Sequence, residues 1–210
     1  MDTPSPDLSP AWWPEAQRAL AAADPVMAHL LATHGCTHPR ARPRGGPFLT
    51  LAQSVVSQQL STKAAATIWA RVEAGLGAPL PPAAVVACPL DALRAFGLSA
   101  RKAEYLQGLA AADLDGRLDA ARWATLSDEA LLAELVALRG IGRWTAQMYL
   151  LFGADRPDVF APDDAGLRRA IGALYCGGAA PDAETLAALS ARWAPYRSLA
   201  ALLLWRSLDG

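Results

Sequence analysis

Apolar residues recur along most of the chain at the spacing that places them on one face of an α-helix. Between residues 48 and 77 they lie four or five positions apart: Leu51, Val55, Leu60, Ala64, Ile68 and Val72. This segment predicts long helical structure that breaks near residues 59–61 and ends at Gly75 or Gly77. Similar patterns predict helices over 100–112, 127–137, 143–152, 164–174, 182–193 and 196–208.

The period-two alternation of a half-buried strand is almost absent from the sequence, and residues 84–87 are the only short candidate. The prolines at 81–82 cannot sustain a helix and predict a connector with a short helix at its end. Residues 1–10 contain three prolines and no apolar period, so we expect a loose lead-in. We predict an all-α fold whose short connections place neighbouring helices antiparallel or at an angle.

The composition is typical of a folded cytoplasmic protein. Of the 210 residues, 53% are hydrophobic and 19% are charged, so the chain can bury a sizeable core. The longest apolar stretches, such as 200–205, are too short for a bilayer span. The first ten residues also lack the basic and apolar regions of a secretory signal. The formal net charge of −1 neither indicates nor excludes nucleic-acid binding, because the distribution of charge decides that.

The cysteines predict neither disulfides nor a metal cluster. Cys36, Cys88 and Cys176 are widely spaced and odd in number, and three thiols are too few for the four thiolates of an iron–sulfur cluster. His34, Cys36 and His38 form an H-x-C-x-H pattern, but a structural zinc ion needs four ligands and the sequence offers no second cluster. We therefore expect no zinc at this pattern.

The segment LRGIGRWTA (138–146) lies between two predicted helices. Gly140 and Gly142 let the backbone turn sharply and approach a ligand, since neither has a Cβ. The helix that follows would offer free N–H groups and a positive dipole end to a phosphate. A plain corner between two helices, with a glycine C-cap, remains an alternative for the glycine pair alone.

The sequence Pro162-Asp163-Asp164 reads as the start of another helix. One carboxylate can cap the helix while the other points elsewhere, and the helix dipole favours the ionised form. Such a residue can stabilise a developing positive charge or orient water. Two ordinary capping aspartates are the alternative interpretation.

Several segments together resemble the helix–hairpin–helix DNA glycosylase superfamily, in its 3-methyladenine DNA glycosylase II branch. These are SVVSQQLSTKAA (54–65), GLSARKA (97–103), LRGIGRWTA (138–146), DVFAPDDAGLRRA (158–170) and RWAPYRSLAALLLW (192–205). They occur in the family's order and cover roughly residues 45–208. The match is far more specific than a single glycine pair.

The resemblance implies a two-lobed helical fold with a DNA cleft between the lobes and without the N-terminal β domain of larger relatives. We expect residues 1–45 to be a lead-in and a first helix that packs on the core, and residues 46–210 to form that core. The lobes would span roughly 46–125 and 126–210, the second lobe also including the N-terminal residues.

The resemblance further implies a monofunctional glycosylase that flips alkylated bases such as 3-methyladenine and 7-methylguanine out of duplex DNA and hydrolyses the N-glycosidic bond. Asp164 corresponds to the catalytic carboxylate, which would stabilise oxocarbenium character on the sugar. Alkylation makes the base a cationic leaving group, so a single carboxylate suffices. The implied partner is double-stranded DNA containing alkylated bases; we expect no membrane, a monomer and no cofactor.

The same resemblance places Trp144, Trp205, Met148, Ala165 and Asp163 at the base pocket. Trp144 stands where bifunctional relatives carry a Schiff-base lysine, so we predict no lyase activity. Its aromatic face would attract a cationic base. Met148 and Ala165 replace pocket tyrosines of relatives, which predicts a wider and less selective pocket. A core position is the alternative for both tryptophans.

Further residues match the family's DNA contacts. Gln59 corresponds to the side chain that fills the gap left by the flipped base, with an exposed glutamine as the alternative; Gln58 is a weaker candidate. Contacts with the DNA backbone are predicted for Gly140, Gly142, Arg143, Thr145 and Lys102. Relatives also bind a monovalent cation through hairpin carbonyls, which correspond here to those of Val136, Leu138 and Ile141.

Three rival functions remain at this stage. A glycosylase for oxidised or mismatched bases is disfavoured by the missing cluster cysteines and by Trp144. A non-catalytic DNA-binding module would need neither Asp164 nor the tryptophans. A helical protein–protein interaction domain would leave the glycine hairpin and the Pro-Asp-Asp helix start as coincidences.

Overall fold

A computed structural model describes residues 9–35 and 45–208, and within these ranges the chain is helical and contains no strand. The α-helices are α1 Trp13–Ala23, α2 Pro25–His34, α3 Gly46–Ser57, α4 Thr62–Leu76, α5 Pro82–Ala87, α6 Leu90–Ala95, α7 Ala100–Leu114, α8 Ala120–Ala124, α9 Asp128–Val136, α10 Arg143–Met148, α11 Ala165–Tyr175, α12 Ala183–Trp193 and α13 Arg197–Arg206. The predicted all-α class is confirmed. The strand candidate at residues 84–87 was wrong, because Pro82 starts a helix that includes them.

The chain divides into two compact units. The first unit combines residues 1–43 with 155–210, and the second unit consists of residues 44–154. The division differs from the predicted boundary at residues 125 and 126, since residues 126–154 group with the preceding segment. The reason is packing inside the second unit, where α10 and the turn that follows it contact α3, and α9 contacts both α10 and that turn.

The second unit is built around α7, which packs on α3, α5 and α6. Its buried face consists of alanines and leucines at helical spacing: Ala103, Leu106, Leu109, Ala110 and Ala112. Ser99 caps α7 by accepting a hydrogen bond from the Lys102 N–H. The predicted break near residues 59–61 is present, since α3 ends at Ser57 and Ser61 caps α4.

The helix predicted over 143–152 changes geometry part-way. The α-helical hydrogen bonding of α10 gives way at Tyr149 to a π-helical turn that ends at Gly153. A Cβ at Gly153 would lie 2.7 Å from the Tyr149 ring, so glycine allows this wide turn to close on the tyrosine.

The first unit surrounds α13, which contacts α1, α2, α11 and α12. This packing explains the apolar run within α13. The buried residues of that run are Leu199, Ala200, Ala201, Leu203 and Leu204. The single N-terminal helix expected before residue 45 was wrong. Two helices are present because Asp24 caps α2 and Pro25 occupies its first turn.

Two absences can be stated for the described ranges. None of the helices there has the length and apolarity of a membrane span. No group of three or more His, Cys, Asp or Glu side chains in the same ranges is arranged to hold a metal ion. Of the H-x-C-x-H pattern, Cys36 and His38 lie outside the described residues, so that expectation is not tested.

Candidate functional site

In the first unit, Asp164 is the N-cap of α11 and is 9% exposed. Its Oδ1 accepts a hydrogen bond from the Leu167 N–H at 2.7 Å and another from the Trp205 indole N–H at 2.9 Å. The carboxylate is thus fixed at the positive end of a helix by one backbone donor and one side-chain donor. Both donors and the helix dipole stabilise negative charge on Asp164.

Gly166 allows the indole to approach the carboxylate. A Cβ at this residue would lie 3.0 Å from Trp205 Cδ1 and 3.1 Å from both Trp205 Nε1 and Asp164 Oδ1. Trp205 therefore acts on the carboxylate as a donor, a role that the predicted pocket or core position did not include. The flanking residues Asp163 and Ala165 are exposed, whereas Asp164 is buried, so the second aspartate of the pair is the capping residue.

In the second unit, residues 137–142 form the turn between α9 and α10. Gly140 has a φ of +91°, and a Cβ there would lie 2.4 Å from two ring atoms of Tyr105. The Ile141 N–H donates to the Leu138 carbonyl at 3.0 Å, and Gly142 is the N-cap of α10. Gly140 is required both for its backbone conformation and for the close approach of Tyr105.

The first residues of α10 differ sharply in exposure. Trp144 is 43% exposed, so the alternative of a core aromatic is wrong. Arg143 is also exposed, as a phosphate contact requires. Thr145 and Met148 are buried, at 3% and 8% exposure. The Thr145 hydroxyl accepts a hydrogen bond from Gln58 Nε2 at 3.3 Å, and its predicted contact with a DNA phosphate stays a prediction.

The connection between α3 and α4 is a tight turn at Gln59, whose φ is +58°. Lys102 of α7 reaches this turn, and its ammonium donates to the carbonyls of Val56 at 2.7 Å and Gln58 at 2.6 Å. Burial lowers the pKa of Lys102 from its ordinary value. The Lys102 ammonium is thus directed to protein carbonyls at the end of a helix, and its predicted contact with DNA stays a prediction.

The Gln58 amide links the turn to the hairpin. Its Nε2 donates to the Gly140 carbonyl at 3.0 Å. Sequence reasoning missed this link, together with the contact between Tyr105 and Gly140.

The described residues thus form two sets, each within one unit. The first unit holds Asp164 and Trp205 together. The second unit holds the hairpin, Trp144 and the Gln59 turn together. The hairpin carbonyl positions Val136, Leu138 and Ile141 line the same shallow depression as Gly140, Gly142 and Trp144.

Comparison with known protein families identifies the superfamily to which this chain belongs. The family model described as "HhH-GPD superfamily base excision DNA repair protein" matches residues 52–195, which is more than half of the chain. The chain belongs to this superfamily. The matched range includes the Gln59 turn, the hairpin and Asp164.

Relatives of this superfamily member confirm the 3-methyladenine branch. DNA-3-methyladenine glycosylase 1 of Schizosaccharomyces pombe is 34% identical over 164 residues, covering 77% of this chain and 72% of the relative. The structure of 3-methyladenine DNA glycosylase (Mag1) from the same yeast, in complex with abasic DNA, superposes with a TM-score of 0.81 at 30% identity, covering 93% of this chain and 97% of that one. A DNA-3-methyladenine glycosidase from Bacillus halodurans gives a TM-score of 0.78 at 33% identity over 99% and 91% of the two chains.

Some curated relatives are longer than the matched region. The chain spans 56% of a Bacillus subtilis relative, which is 32% identical over 162 residues and 74% of this chain. It spans 55% of DNA-3-methyladenine glycosylase 2 of Escherichia coli, which is 31% identical over 163 residues and 73% of this chain.

Proposed function

We propose that this protein is a monofunctional DNA glycosylase that excises alkylated bases, of the 3-methyladenine and 7-methylguanine type, from double-stranded DNA. The observation that carries the proposal is the buried Asp164 carboxylate, which an indole and a helix N-terminus hold in place. Asp164 also lies within the range that the DNA repair family model matches. Membership of the superfamily and the names of the relatives support the same activity.

The chemistry follows from the leaving group. An alkylated base carries positive charge, so the N-glycosidic bond breaks with its electron pair moving to the base nitrogen, which becomes neutral. Positive charge then develops on the sugar, where a fixed carboxylate stabilises it. Water adds to the sugar carbon and releases a proton to solvent, which leaves an abasic site. Asp164 supplies that carboxylate, and its two donors keep it oriented.

The exposed Trp144 supports two further parts of the proposal. An indole cannot form a Schiff base with the sugar, so the protein leaves the DNA strand intact. A large exposed aromatic face is suited to stacking against an electron-poor base. Because the base must leave the helix stack to react, the enzyme extrudes the nucleotide, and Gln59 occupies the vacated position.

The hairpin between α9 and α10 binds the DNA backbone in this proposal. Gly140 and Gly142 expose main-chain groups there, and Arg143 adds a positive charge at the start of α10. A monovalent cation suits the carbonyls of Val136, Leu138 and Ile141, because a carbonyl oxygen with one hydrogen bond retains a second lone pair. When bound, such an ion would fix the hairpin backbone and add positive charge next to a phosphate.

The test uses a methylated duplex and the matched unmethylated duplex. Wild-type protein should release free 3-methyladenine or 7-methylguanine, measured by mass spectrometry, from the methylated duplex only. The strand should break only after alkali, because no lyase step follows. Release without strand breakage supports a monofunctional enzyme, whereas breakage without alkali contradicts it. Binding of both duplexes without release of either base would indicate a non-catalytic DNA-binding protein.

A further inference from the structure

Two side chains of the second unit converge on the Gln59 turn from different elements. Lys102 projects from α7 and donates to the carbonyls of Val56 and Gln58 at 2.7 and 2.6 Å. These carbonyls lie at the C-terminal end of α3, where a helix has unsatisfied acceptors and a partial negative charge. The Lys102 ammonium donates to both carbonyls and places a positive charge there, so the end of α3 is fixed to α7.

The second contact fixes the turn to the hairpin. Gln58 is the residue immediately before Gln59, and its amide nitrogen donates to the Gly140 carbonyl at 3.0 Å and to the Thr145 hydroxyl at 3.3 Å. Gly140 belongs to the hairpin and Thr145 to α10. The same residue therefore offers its backbone carbonyl to Lys102 and its side chain to the hairpin.

The conformation of Gln59 needs such support. Its φ of +58° is in the left-handed region, which glycine adopts without cost and glutamine does not. Residues in sparsely populated conformations persist only when the surrounding structure holds them, and they cluster at functional sites. Glutamine at this position therefore has a conformational cost that neighbouring contacts must offset.

We propose that Lys102 and Gln58 are positioning residues, which hold the Gln59 turn against the hairpin as one preorganised DNA-contacting element. This inference rests on the proposed function, in which Gln59 fills the position of the flipped base and the hairpin binds phosphate. If the turn were free to relax, ordering it on DNA would consume binding energy at the flipping step. The two residues act through Gln59 and do not themselves contact the reacting atoms.

The test removes the donors while keeping side-chain length, with Lys102→Met and Gln58→Met. Each variant should slow base release at saturating enzyme about tenfold, the effect of losing hydrogen bonds of this kind. Gln107→Met is the matched control: Gln107 also lies on α7 and donates to a carbonyl at a helix end, that of Cys88 at 2.6 Å, where α5 ends. It should lose thermal stability but retain the wild-type rate.

A double-mutant cycle with Gln59→Ala separates positioning from general destabilisation. Once the Gln59 side chain is gone, Lys102→Met and Gln58→Met should slow release by less than about twofold further. Equal losses in both backgrounds would overturn the positioning role, as would unchanged rates in the two single variants. If Lys102→Met does not fold, the Gln58→Met cycle decides alone. If the wild type releases no base, the proposed function itself fails and the positioning role fails with it.

Discussion

Asp24 and Asp164 are both buried N-cap residues of the first unit, at the start of α2 and α11, and each accepts a hydrogen bond from a tryptophan indole. They differ in exposure and in which carboxylate oxygens accept these hydrogen bonds. Oδ1 of Asp24 accepts from the N–H groups that start α2, and Oδ2 accepts from the Tyr175 hydroxyl and the Trp193 indole, both at 2.9 Å. For Asp164 the helix N–H and the indole bond end on the same oxygen.

The two aspartates also differ in solvent exposure. Asp24 is 1% exposed and has the Arg192 guanidinium 3.6 Å away, so it is a sealed structural group. Asp164 is 9% exposed. The comparison teaches that a capping aspartate with an indole donor is not by itself a catalytic site. What distinguishes Asp164 is that it lies within the range matched by the DNA repair family, which begins after Asp24.

The largest expected effect on folding is that of Asp24→Asn. An amide cannot accept from all of these donors, because either orientation of its NH2 group faces a helix N–H or the Trp193 and Tyr175 donors. We expect a loss of about 3 kcal/mol in the free energy of unfolding, measured by urea denaturation. The rate of base release per folded molecule should not change. A variant as stable as the wild type would contradict the structural role of Asp24.

The pKa of Asp24 predicts how the stability of the fold depends on pH in acid. Burial raises this pKa, but the hydrogen bonds from Trp193, Tyr175 and the α2 N–H groups outweigh it, so the folded-state pKa lies below its ordinary value. A lowered pKa stabilises the fold at pH values above the unfolded pKa, about 4, and the contribution is lost as the pH falls through the folded-state value. The stability of the wild type should therefore fall more steeply below about pH 4 than that of Asp24→Asn.

A smaller effect is expected from removing the indole donors. Trp205→Phe should slow base release about tenfold, because one hydrogen bond that orients Asp164 is lost. Trp193→Phe should leave the rate unchanged and lower the unfolding free energy, since Trp193 is fully buried against Asp24. Loss of activity in Trp193→Phe, or full activity in Trp205→Phe, would break the distinction between the two carboxylates.

The smallest effect is expected from Gly166→Ala. The added methyl group would displace the Trp205 indole by a few tenths of an ångström, because the nearest contacts are 3.0 and 3.1 Å. We expect a few-fold slower release with a net change in the free energy of unfolding below about 1 kcal/mol, because the helix propensity of alanine and the displaced indole have opposite effects on stability. Slower release at nearly unchanged stability identifies a geometric effect on the carboxylate. Unchanged activity would contradict this interpretation.

Local patterns predicted most of the fold. Several helices after residue 99 begin near their predicted starts at polar N-caps, Ser99, Ser127 and Asp182, each of which accepts a helix N–H. The boundary between the units was not predictable in the same way. It depends on which apolar faces pack together, and the pattern of one helix does not identify its partner.

The residues of the candidate site were also only partly predictable from the sequence. The sequence predicted that one aspartate of the pair would cap the helix but not that this residue would be Asp164. The exposure of Trp144 is consistent with its predicted place at a base pocket. The roles of Lys102 and Thr145 could not be predicted, because an ammonium or hydroxyl near a DNA-binding motif is equally suited to a phosphate and to a protein partner. Contacts between residues far apart in sequence, such as Gln58 with Gly140, supply the protein partners that no local pattern indicates.

The most direct test of the central claim is single-turnover base release from methylated duplex DNA by Asp164→Asn beside Asp24→Asn, with duplex binding measured in parallel. Asparagine can keep the N-cap at Asp164 through its amide oxygen, while it removes the charge and replaces the second oxygen by an NH2 group. We predict that Asp164→Asn binds duplex DNA but releases bases on the order of a thousandfold more slowly, whereas folded Asp24→Asn retains the wild-type rate. Release by Asp164→Asn within a few-fold of the wild type would contradict the account.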